Sequence, residues 1–154
     1  MSDEVNIAEA SEIIPISDGL ERYGTFLQAT GELHRTLRPS LPVDYESYMR
    51  RMFDEGAEMA ILVVNGLVAS LVVYRCHHTT FHGFRCYVDD LVTDEARRGL
   101  RLGHTLLAWC ETRARERGCD TFDLESGVQR PRTHQFYFRE GLTIFAFGFT
   151  KPLR

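Results

Sequence analysis

The chain has 154 residues, 44% of them hydrophobic, and its 18 basic and 22 acidic side chains leave a net charge of −4. This size and composition indicate one globular domain, residues 1–154, with its own core. The acidic balance argues against a dedicated nucleic-acid-binding protein, and no apolar run is long enough to cross a membrane. A cationic small molecule, such as an amine, is a more compatible partner.

The N-terminus, Met-Ser-Asp-Glu-Val-Asn, lacks the cationic and apolar stretches of a secretory signal, which predicts a cytoplasmic protein. We expect residues 1–12 to be a loose end. Four cysteines occur without Cys-x-x-Cys spacing and are expected to be reduced core residues. They are Cys76, Cys86, Cys110 and Cys119.

The first third of the chain predicts a short strand followed by two amphipathic helices. Ile13 to Ile16 is strand-like, and Ser17 or Asp18 is placed to cap the helix after it. Two prolines then interrupt the chain, after which Asp44 is placed to cap a second helix.

The clearest local pattern is a β-hairpin. Met59 to Val64 and Leu67 to Cys76 are β-rich runs separated by Asn65-Gly66, a dipeptide that suits a two-residue type I′ turn. The polar link after the hairpin carries three histidines, but their spacing fixes no ligand geometry, so no metal site is predicted. These are His77, His78 and His82.

A strand, a basic turn and a helix follow in that order. Cys86 to Thr93 predicts the strand, and Leu102 to about Arg117 predicts the helix. The first N–H groups of a helix have no partner within it, and the helix dipole makes that end positive, so this junction suits a phosphate-bearing ligand. Arginines in the turn reinforce the prediction, because a guanidinium group can bind phosphate oxygens in pairs.

The rest of the chain predicts two strands around one more helix. Gly118 is expected to end the preceding helix, and Asp120 to Ser126 alternates as a half-buried strand does. Pro131 and Gly141 are placed at the start and just past the end of the next helix. Leu142 to Thr150 is apolar on both faces and predicts a last strand, which is suited to pair with a neighbouring copy in a homodimer.

The string Arg-Arg-Gly-Leu-Arg-Leu-Gly-His after the strand resembles the coenzyme A motif of the GNAT superfamily of N-acetyltransferases, written Arg/Gln-x-x-Gly-x-Gly/Ala. Arg98 takes the Arg/Gln position and Gly103 the last small position. Arg101 stands where the middle glycine is usual, which requires backbone angles that a non-glycine residue tolerates.

The resemblance covers Met59 to Leu153, and the N-terminal third by the order of its elements. It implies an α/β (α+β) GNAT-like acyl-CoA N-acyltransferase fold. Its sheet would be mixed and mostly antiparallel, with about six or seven strands flanked by about four helices, and splayed between the fourth and fifth strands.

Acetyl-CoA is the co-substrate that the resemblance implies, with no metal. Its pantetheine amides would pair with the end of the strand, and its pyrophosphate would meet the turn amides. The expected contacts are Leu91, Val92, Thr93, Arg98, Gly99, Leu100, Arg101, Leu102, Gly103, His104 and Arg130. Arg130 stands where the family often has asparagine, and a substrate carboxylate is the alternative partner for it.

Tyr137 lies in His-Gln-Phe-Tyr-Phe-Arg-Glu-Gly, which resembles the family segment whose tyrosine protonates the coenzyme thiolate. A phenol holds its proton at neutral pH, so Tyr137 is the predicted general acid. The alternative is an aromatic core cluster with Phe136 and Phe138.

Asp90 is the predicted general base, because it aligns with an acidic position of the family and partial burial would raise its pKa. Adjacent strand residues point to opposite faces, so Asp89 and Asp90 share a cleft only if a bulge intervenes. A structural carboxylate or an anchor for a substrate ammonium is the alternative role for Asp90. Asp89, Glu125 and His134 are secondary candidates for substrate contacts.

These residues favour an N-acetyltransferase in which a primary amine attacks acetyl-CoA directly in a ternary complex, without a covalent enzyme intermediate. Two alternatives remain. One is a non-catalytic acyl-CoA sensor or interaction module with the same fold, and the other is a nucleotide-binding protein of another α/β family. The sequence leaves the acceptor open between small amines, antibiotics and protein amines.

Overall fold

A five-stranded sheet forms the centre of the protein, in a computed structural model that describes residues 11–154. Neighbouring strands are antiparallel except for the last pair, which is parallel. The expected mixed, mostly antiparallel sheet is therefore confirmed, with five strands in the described chain where six or seven were predicted. In order across the sheet they are β1 (Ser11–Ile14), β2 (Glu58–Val64), β3 (Leu67–Thr79), β4 (Gly83–Thr93) and β5 (Thr121–Leu124).

In residues 11–154, five α-helices flank this sheet, one of them a single turn. They are α1 (Leu20–Tyr23), α2 (Leu27–Leu37), α3 (Tyr45–Asp54), α4 (Leu102–Glu116) and α5 (Pro131–Arg139). Asp44 caps α3 as predicted, because its carboxylate accepts from the Ser47 amide over 3.1 Å. The predicted cap by Ser17 or Asp18 is wrong, since Gly19 precedes α1 without a capping side chain. The Ser17 hydroxyl instead accepts from the Met59 amide, which ties this segment to β2.

The N-terminal prediction is tested only at its end, because residues 1–10 lie outside the described part of the chain. Ser11 and Glu12 are not a loose end, since they belong to β1 and pair with Val64 and Val63 of β2. Within residues 11–154, no helix is long and apolar enough to span a membrane.

The hairpin between β2 and β3 forms as the sequence predicts. Asn65 and Gly66 have φ angles of 51° and 77°, the positive values that a type I′ turn requires at both central positions. The turn sets the register of two strands that are buried on both faces.

Two apolar cores lie on opposite faces of the sheet. Ala60, Leu62 and Val64 of β2 face a core shared with α4, which we call the α4-side core. Met59, Ile61 and Val63 of the same strand face a core shared with α2 and α3, which we call the α2-side core. Burial on both faces explains why β2 reads as a continuous apolar run.

The predicted last strand, Leu142 to Thr150, is wrong for the isolated chain. The Leu142 amide donates to the Tyr137 carbonyl, but residues 143–154 make no backbone hydrogen bond with the rest of the described chain. An apolar alternating pattern makes a strand only where a free edge is within reach, and the pattern itself does not specify that edge.

Two leucines of β3 provide a matched test of the core. Leu71 is fully buried, whereas Leu67 is 58% exposed. Leu71→Ala should lower the free energy of unfolding by about 2–5 kcal/mol, because it leaves a cavity between close-packed neighbours. Leu67→Ala should change it by less than about 0.5 kcal/mol. Urea titration of both variants measures the difference, and equal losses would contradict the assigned core.

Candidate active site

The sheet opens where β4 and β5 part. Their parallel pairing runs from Arg85 opposite Thr121 to Val88 opposite Leu124. Beyond Val88, β4 continues to Thr93 paired with β3 but not with β5. The splay predicted between the fourth and fifth strands is therefore confirmed. A cleft of about 810 Å³ occupies the opening.

Four parts of the described chain line this cleft: the end of α2, the end of β4, the turn leading into α4, and α5 with the end of β5 and the loop before it. Most of the site residues expected from the sequence meet there. Those in the lining are Asp89, Asp90, Leu91, Val92, Thr93, Arg98, Gly99, Arg101, Leu102, Gly103, His104, Glu125, Arg130 and Tyr137. Leu100 and His134 lie outside the lining. His134 instead holds the loop before α5, because its Nε2 atom lies 2.9 Å from the Gly127 carbonyl oxygen.

A β-bulge brings both adjacent aspartates to the cleft. Val73 of β3 pairs with Asp90, while the next residue, Tyr74, pairs with Val88, so Asp89 is an extra residue on β4. The bulge is the condition under which two neighbouring carboxylates can line one cavity. The Asp89 carboxylate accepts from Arg75 Nε over 2.8 Å.

Asp90 is held by two side chains of α2 and the segment after it. One carboxylate oxygen lies 2.7 Å from His34 Nε2, and the other accepts from Arg38 Nε over 2.8 Å. His34 is only 2% exposed, and its Nδ1 atom lies 2.9 Å from the Tyr45 hydroxyl. An ionised carboxylate only accepts, so His34 Nε2 donates to Asp90.

These contacts overturn the expected pKa shift of Asp90. Burial by itself would raise the pKa of this carboxyl group, but the hydrogen bonds and positive charge of His34 and Arg38 outweigh it, and the pKa falls below its usual value. Asp90 is consequently an ionised carboxylate at neutral pH. The expectation that burial tunes it into a base of raised pKa is wrong.

The turn before α4 offers unpartnered amides to an anion. No side chain caps the N-terminus of α4 in the described chain, and the residue at the cap, Arg101, has φ 58° and ψ 24°. Arg101 therefore keeps the left-handed conformation that glycine favours, contrary to the expectation of an ordinary backbone angle. Arg98 is exposed and lies 3.2 Å from Glu95, so it reaches this end of the cleft as an ion-paired surface residue.

Helix α5 is held across the cleft from β4 by contacts with α4. His104 Nδ1, in the first turn of α4, donates to the Glu140 carboxylate over 2.6 Å just past the end of α5. A Cβ atom at Gly103 would lie in ordinary van der Waals contact, 3.4 Å from Thr93 Oγ1 and 3.7 Å from the Phe136 ring, so Gly103 lies beside both the end of β4 and α5. These contacts fix α5 relative to the end of β4.

Tyr137 lies on α5 with its ring half-buried against Phe136. Burial raises the pKa of its phenol to about 12, with Arg130 lowering it and Asp90 raising it by smaller amounts. The phenol therefore holds its proton throughout the neutral range. Tyr137 both lines the cleft and packs on an aromatic neighbour, so the two roles weighed from the sequence coexist.

The sequence argument missed His34, Arg38 and Tyr45. Their importance comes from contacts with Asp90, which is 56 residues away from His34 along the chain. The only local signal was a histidine inside the buried stripe of α2, which includes Leu27, Thr30 and Leu33. That pattern is equally typical of a structural core residue.

With this geometry in place, comparison with known proteins decides the family. Residues 28–141 match the family model described as "Acetyltransferase (GNAT) family". The chain belongs to the GNAT acetyltransferase family. The α+β fold and the splayed sheet expected from the coenzyme motif are those of this family.

Individual relatives agree with the assignment. This GNAT protein is 29% identical over 119 residues to an aminoalkylphosphonate N-acetyltransferase of Salmonella typhimurium. The match covers 72% of this chain and 75% of the relative. It is 31% identical over 112 residues to the uncharacterized N-acetyltransferase YhdJ of Bacillus subtilis, with 72% of each chain covered. A solved aminoglycoside N-acetyltransferase, AAC(6')-Iy in complex with CoA, superposes with a TM-score of 0.78 over 94% of this chain and 95% of its own, at 13% identity.

A substitution at Arg101 separates the effect of its backbone conformation on stability from the effect of its charge on coenzyme binding. Arg101→Gly should raise the free energy of unfolding by about 0.5–1 kcal/mol, because glycine adopts the left-handed conformation without strain. It should also weaken coenzyme A binding about tenfold through the lost guanidinium group. Urea titration and calorimetry measure the two effects. Arg115→Ala, on the exposed side of α4, is the control and should leave coenzyme affinity unchanged; an unchanged affinity in Arg101→Gly would contradict the phosphate role.

Proposed function

We propose that this GNAT protein transfers an acetyl group from acetyl-CoA to a primary amine by direct attack in a ternary complex. The observation that carries the proposal is the cleft itself, where a free edge of β4, an uncapped helix N-terminus and a protonated tyrosine meet. A cavity of about 810 Å³ has the size of a site for a cofactor and a second small molecule.

The coenzyme has a natural orientation in this cleft. Within the described part of the chain, β4 has no strand partner from Leu91 to Thr93 on the side facing the cleft, so the pantetheine amides can add there like a further strand. The diphosphate then reaches the amides from Arg98 to His104, where the helix dipole and Arg101 favour negative charge. Arg130, at the start of α5, remains available for a further phosphate or an acceptor carboxylate.

Tyr137 supplies the proton that the reaction requires. The acceptor nitrogen attacks the thioester carbonyl carbon, a C–N bond forms, and the C–S bond breaks as the sulfur takes the electron pair. The Tyr137 hydroxyl donates its proton to that sulfur, and the proton that the nitrogen loses as the amide forms returns through water to the phenolate, which restores the acid. A phenol whose pKa is raised to about 12 keeps its proton at neutral pH, which suits a general acid.

Asp90 acts as the anchor of the substrate ammonium in this proposal, because its lowered pKa makes it a poor base. The carboxylate attracts the protonated amine to the cleft, and the amine loses its proton to water before it attacks. His34 and Arg38 are positioning residues, since each fixes one oxygen of Asp90 and neither is among the reacting groups. Asp89 and Glu125 line the same cleft and extend its negative charge toward an acceptor.

The acceptor is proposed to be a small primary amine. The Salmonella relative is named as an aminoalkylphosphonate N-acetyltransferase, and the cleft carries arginines that suit an anionic group on such a molecule. The proposal places the reaction in the cytoplasm, because all four cysteines are free thiols, which fits a reducing compartment.

Turnover with a Tyr137 variant tests the proposed function against a non-catalytic acyl-CoA sensor. Protein, acetyl-CoA and a panel of amines that includes aminoalkylphosphonates should release free thiol. Tyr137→Phe should lower kcat at least about 100-fold through loss of the acid, while coenzyme A affinity is unchanged. Tyr23→Phe alters a half-buried tyrosine outside the cleft and should leave kcat unchanged.

The outcomes of this experiment are distinct. Coenzyme A binding without thiol release across the panel would support the sensor, which the arginines at positions 101 and 130 favour because they depart from the family pattern. Full activity in Tyr137→Phe would leave an acetyltransferase but remove the assigned acid.

The pH dependence tests the role of Asp90. Because its carboxyl group is already ionised, kcat/KM should rise with pH according to the pKa of the acceptor amine, with no fall from Tyr137 until near pH 12. Two acceptors of different amine pKa should give midpoints that differ by the same amount. A midpoint that stays fixed for both acceptors and disappears in Asp90→Asn would show that Asp90 is the base after all.

A further inference from the structure

A second, smaller pocket lies on the α2 side of the sheet. Its volume is about 220 Å³, and its walls come from α2, the segment after α2, and α3. Arg38 and Asp90 line this pocket as well as the cleft, so the two cavities meet at the ion pair between these side chains. We call the smaller cavity the α3 pocket. A molecule bound at Asp90 can therefore reach from the cleft into the α3 pocket.

Most of the wall of the α3 pocket is apolar. Its apolar and aromatic lining residues are Leu41, Pro42, Tyr48, Met49 and Met52. Met49 is only 1% exposed, and Tyr48 and Met52 are half-buried. Methionine side chains are flexible and polarisable, so they adapt to the shape of an apolar group that lies against them.

The polar side chains of the α3 pocket are mostly engaged with one another. His34 Nε2 lies 2.7 Å from one oxygen of Asp90, and His34 Nδ1 lies 2.9 Å from the Tyr45 hydroxyl. Arg38 Nε donates to the other oxygen of Asp90 over 2.8 Å. Both ring nitrogens are thus occupied, while the carboxylate keeps lone pairs with which it can accept from a further donor. The pocket therefore offers a ligand one acceptor for an ammonium group and, beside it, an apolar wall.

We propose that the α3 pocket holds the carbon chain of the acceptor, and that the acceptor is a primary amine with an aliphatic substituent. The inference rests on the proposed function, because it takes Asp90 as the anchor of the acceptor ammonium. At roughly 30 Å³ for each small group, a pocket of about 220 Å³ has room for about seven non-hydrogen atoms. A sugar-like amine fits poorly, because its hydroxyl groups would lie unpaired against the methionines.

A series of linear primary amines, from ethylamine to hexylamine, tests the length of the chain that the pocket accepts. Each added methylene group should raise kcat/KM about threefold to fourfold until the pocket is full, because each one buries further apolar surface. Linear alkylamines have nearly the same pKa, so ionisation does not contribute to this gradient. Calorimetry on the protein with bound coenzyme A should give the same gradient in amine affinity without turnover.

A charge placed in the pocket tests which wall the chain contacts. Diaminobutane, whose far end is a second ammonium group, should be at least about tenfold poorer than butylamine with the wild-type protein, because that group would be buried without a partner. Met52→Glu should shift the ratio toward diaminobutane by at least about tenfold, since the new carboxylate can pair with the second ammonium. Arg51→Glu is the matched control, because Arg51 is the neighbouring residue of α3 but is exposed and lies outside the pocket lining, and it should keep the wild-type ratio.

The outcomes separate this inference from the proposed function. Thiol release that is equal for all the alkylamines, or a ratio that Met52→Glu leaves unchanged, would overturn the pocket assignment while the acetyltransferase activity stands. The same shift in Arg51→Glu would also overturn it, by assigning the effect to the charge of the whole surface. A gradient in affinity without thiol release would support the pocket and contradict the proposed function. If Met52→Glu fails to fold, the gradient across the wild-type series decides by itself.

Discussion

The bulge at Asp89 is the feature on which the arrangement of the cleft depends. Side chains alternate between the faces of a strand, so an unbroken β4 would place Asp90 on the same face as Val88, toward the α4-side core. One inserted residue reverses this order: Leu91 packs with Val88 on the α4 side, whereas Asp90 meets His34 and Val92 packs on the α2 side. The carboxylate thus reaches α2 two residues past Val88, the last residue of β4 that pairs with β5.

Groups from both sides of the sheet therefore meet at the end of β4. From the α2 side, His34 and Arg38 hold Asp90 as an anion. From the α4 side come the free amides of the helix N-terminus, which favour an anionic ligand. The strand separates a site suited to a cation from one suited to an anion, and the parting of β5 opens both to one cavity. This separation of charge fits the proposed reaction between an amine and a phosphate-bearing donor.

Local chemistry accounts for what the sequence predicted well. Asn65-Gly66 formed the type I′ turn, Asp44 capped α3, and the coenzyme motif placed α4, because each depends on residues within a few positions. Non-local contacts account for the failures. His34 has the pattern of a core residue, and only the fold brings Asp90 to it. The segment from Leu142 to Thr150 has the pattern of a strand, but beyond Leu142 it makes no backbone hydrogen bond with the rest of the described chain. In both cases the sequence pattern reflects the residues themselves, whereas their contacts depend on which other parts of the chain the fold brings to them.

The two candidate catalytic groups differ in protonation because their surroundings differ, although both are largely buried. Burial alone would raise the pKa of both the carboxyl group and the phenol. Tyr137 has an apolar ring beside it and only Arg130 to oppose the effect, so its pKa rises to about 12. Asp90 has two hydrogen-bond donors aimed at its oxygens, so its pKa falls despite burial. At neutral pH each group is consequently held in one form, Asp90 as an anion and Tyr137 as a protonated phenol. In the proposed reaction these forms are a charged anchor for the acceptor and a proton donor for the thiol. Neither group then needs to titrate at neutral pH, so the proposal assigns the control of the reaction by pH to the ionisation of the amine.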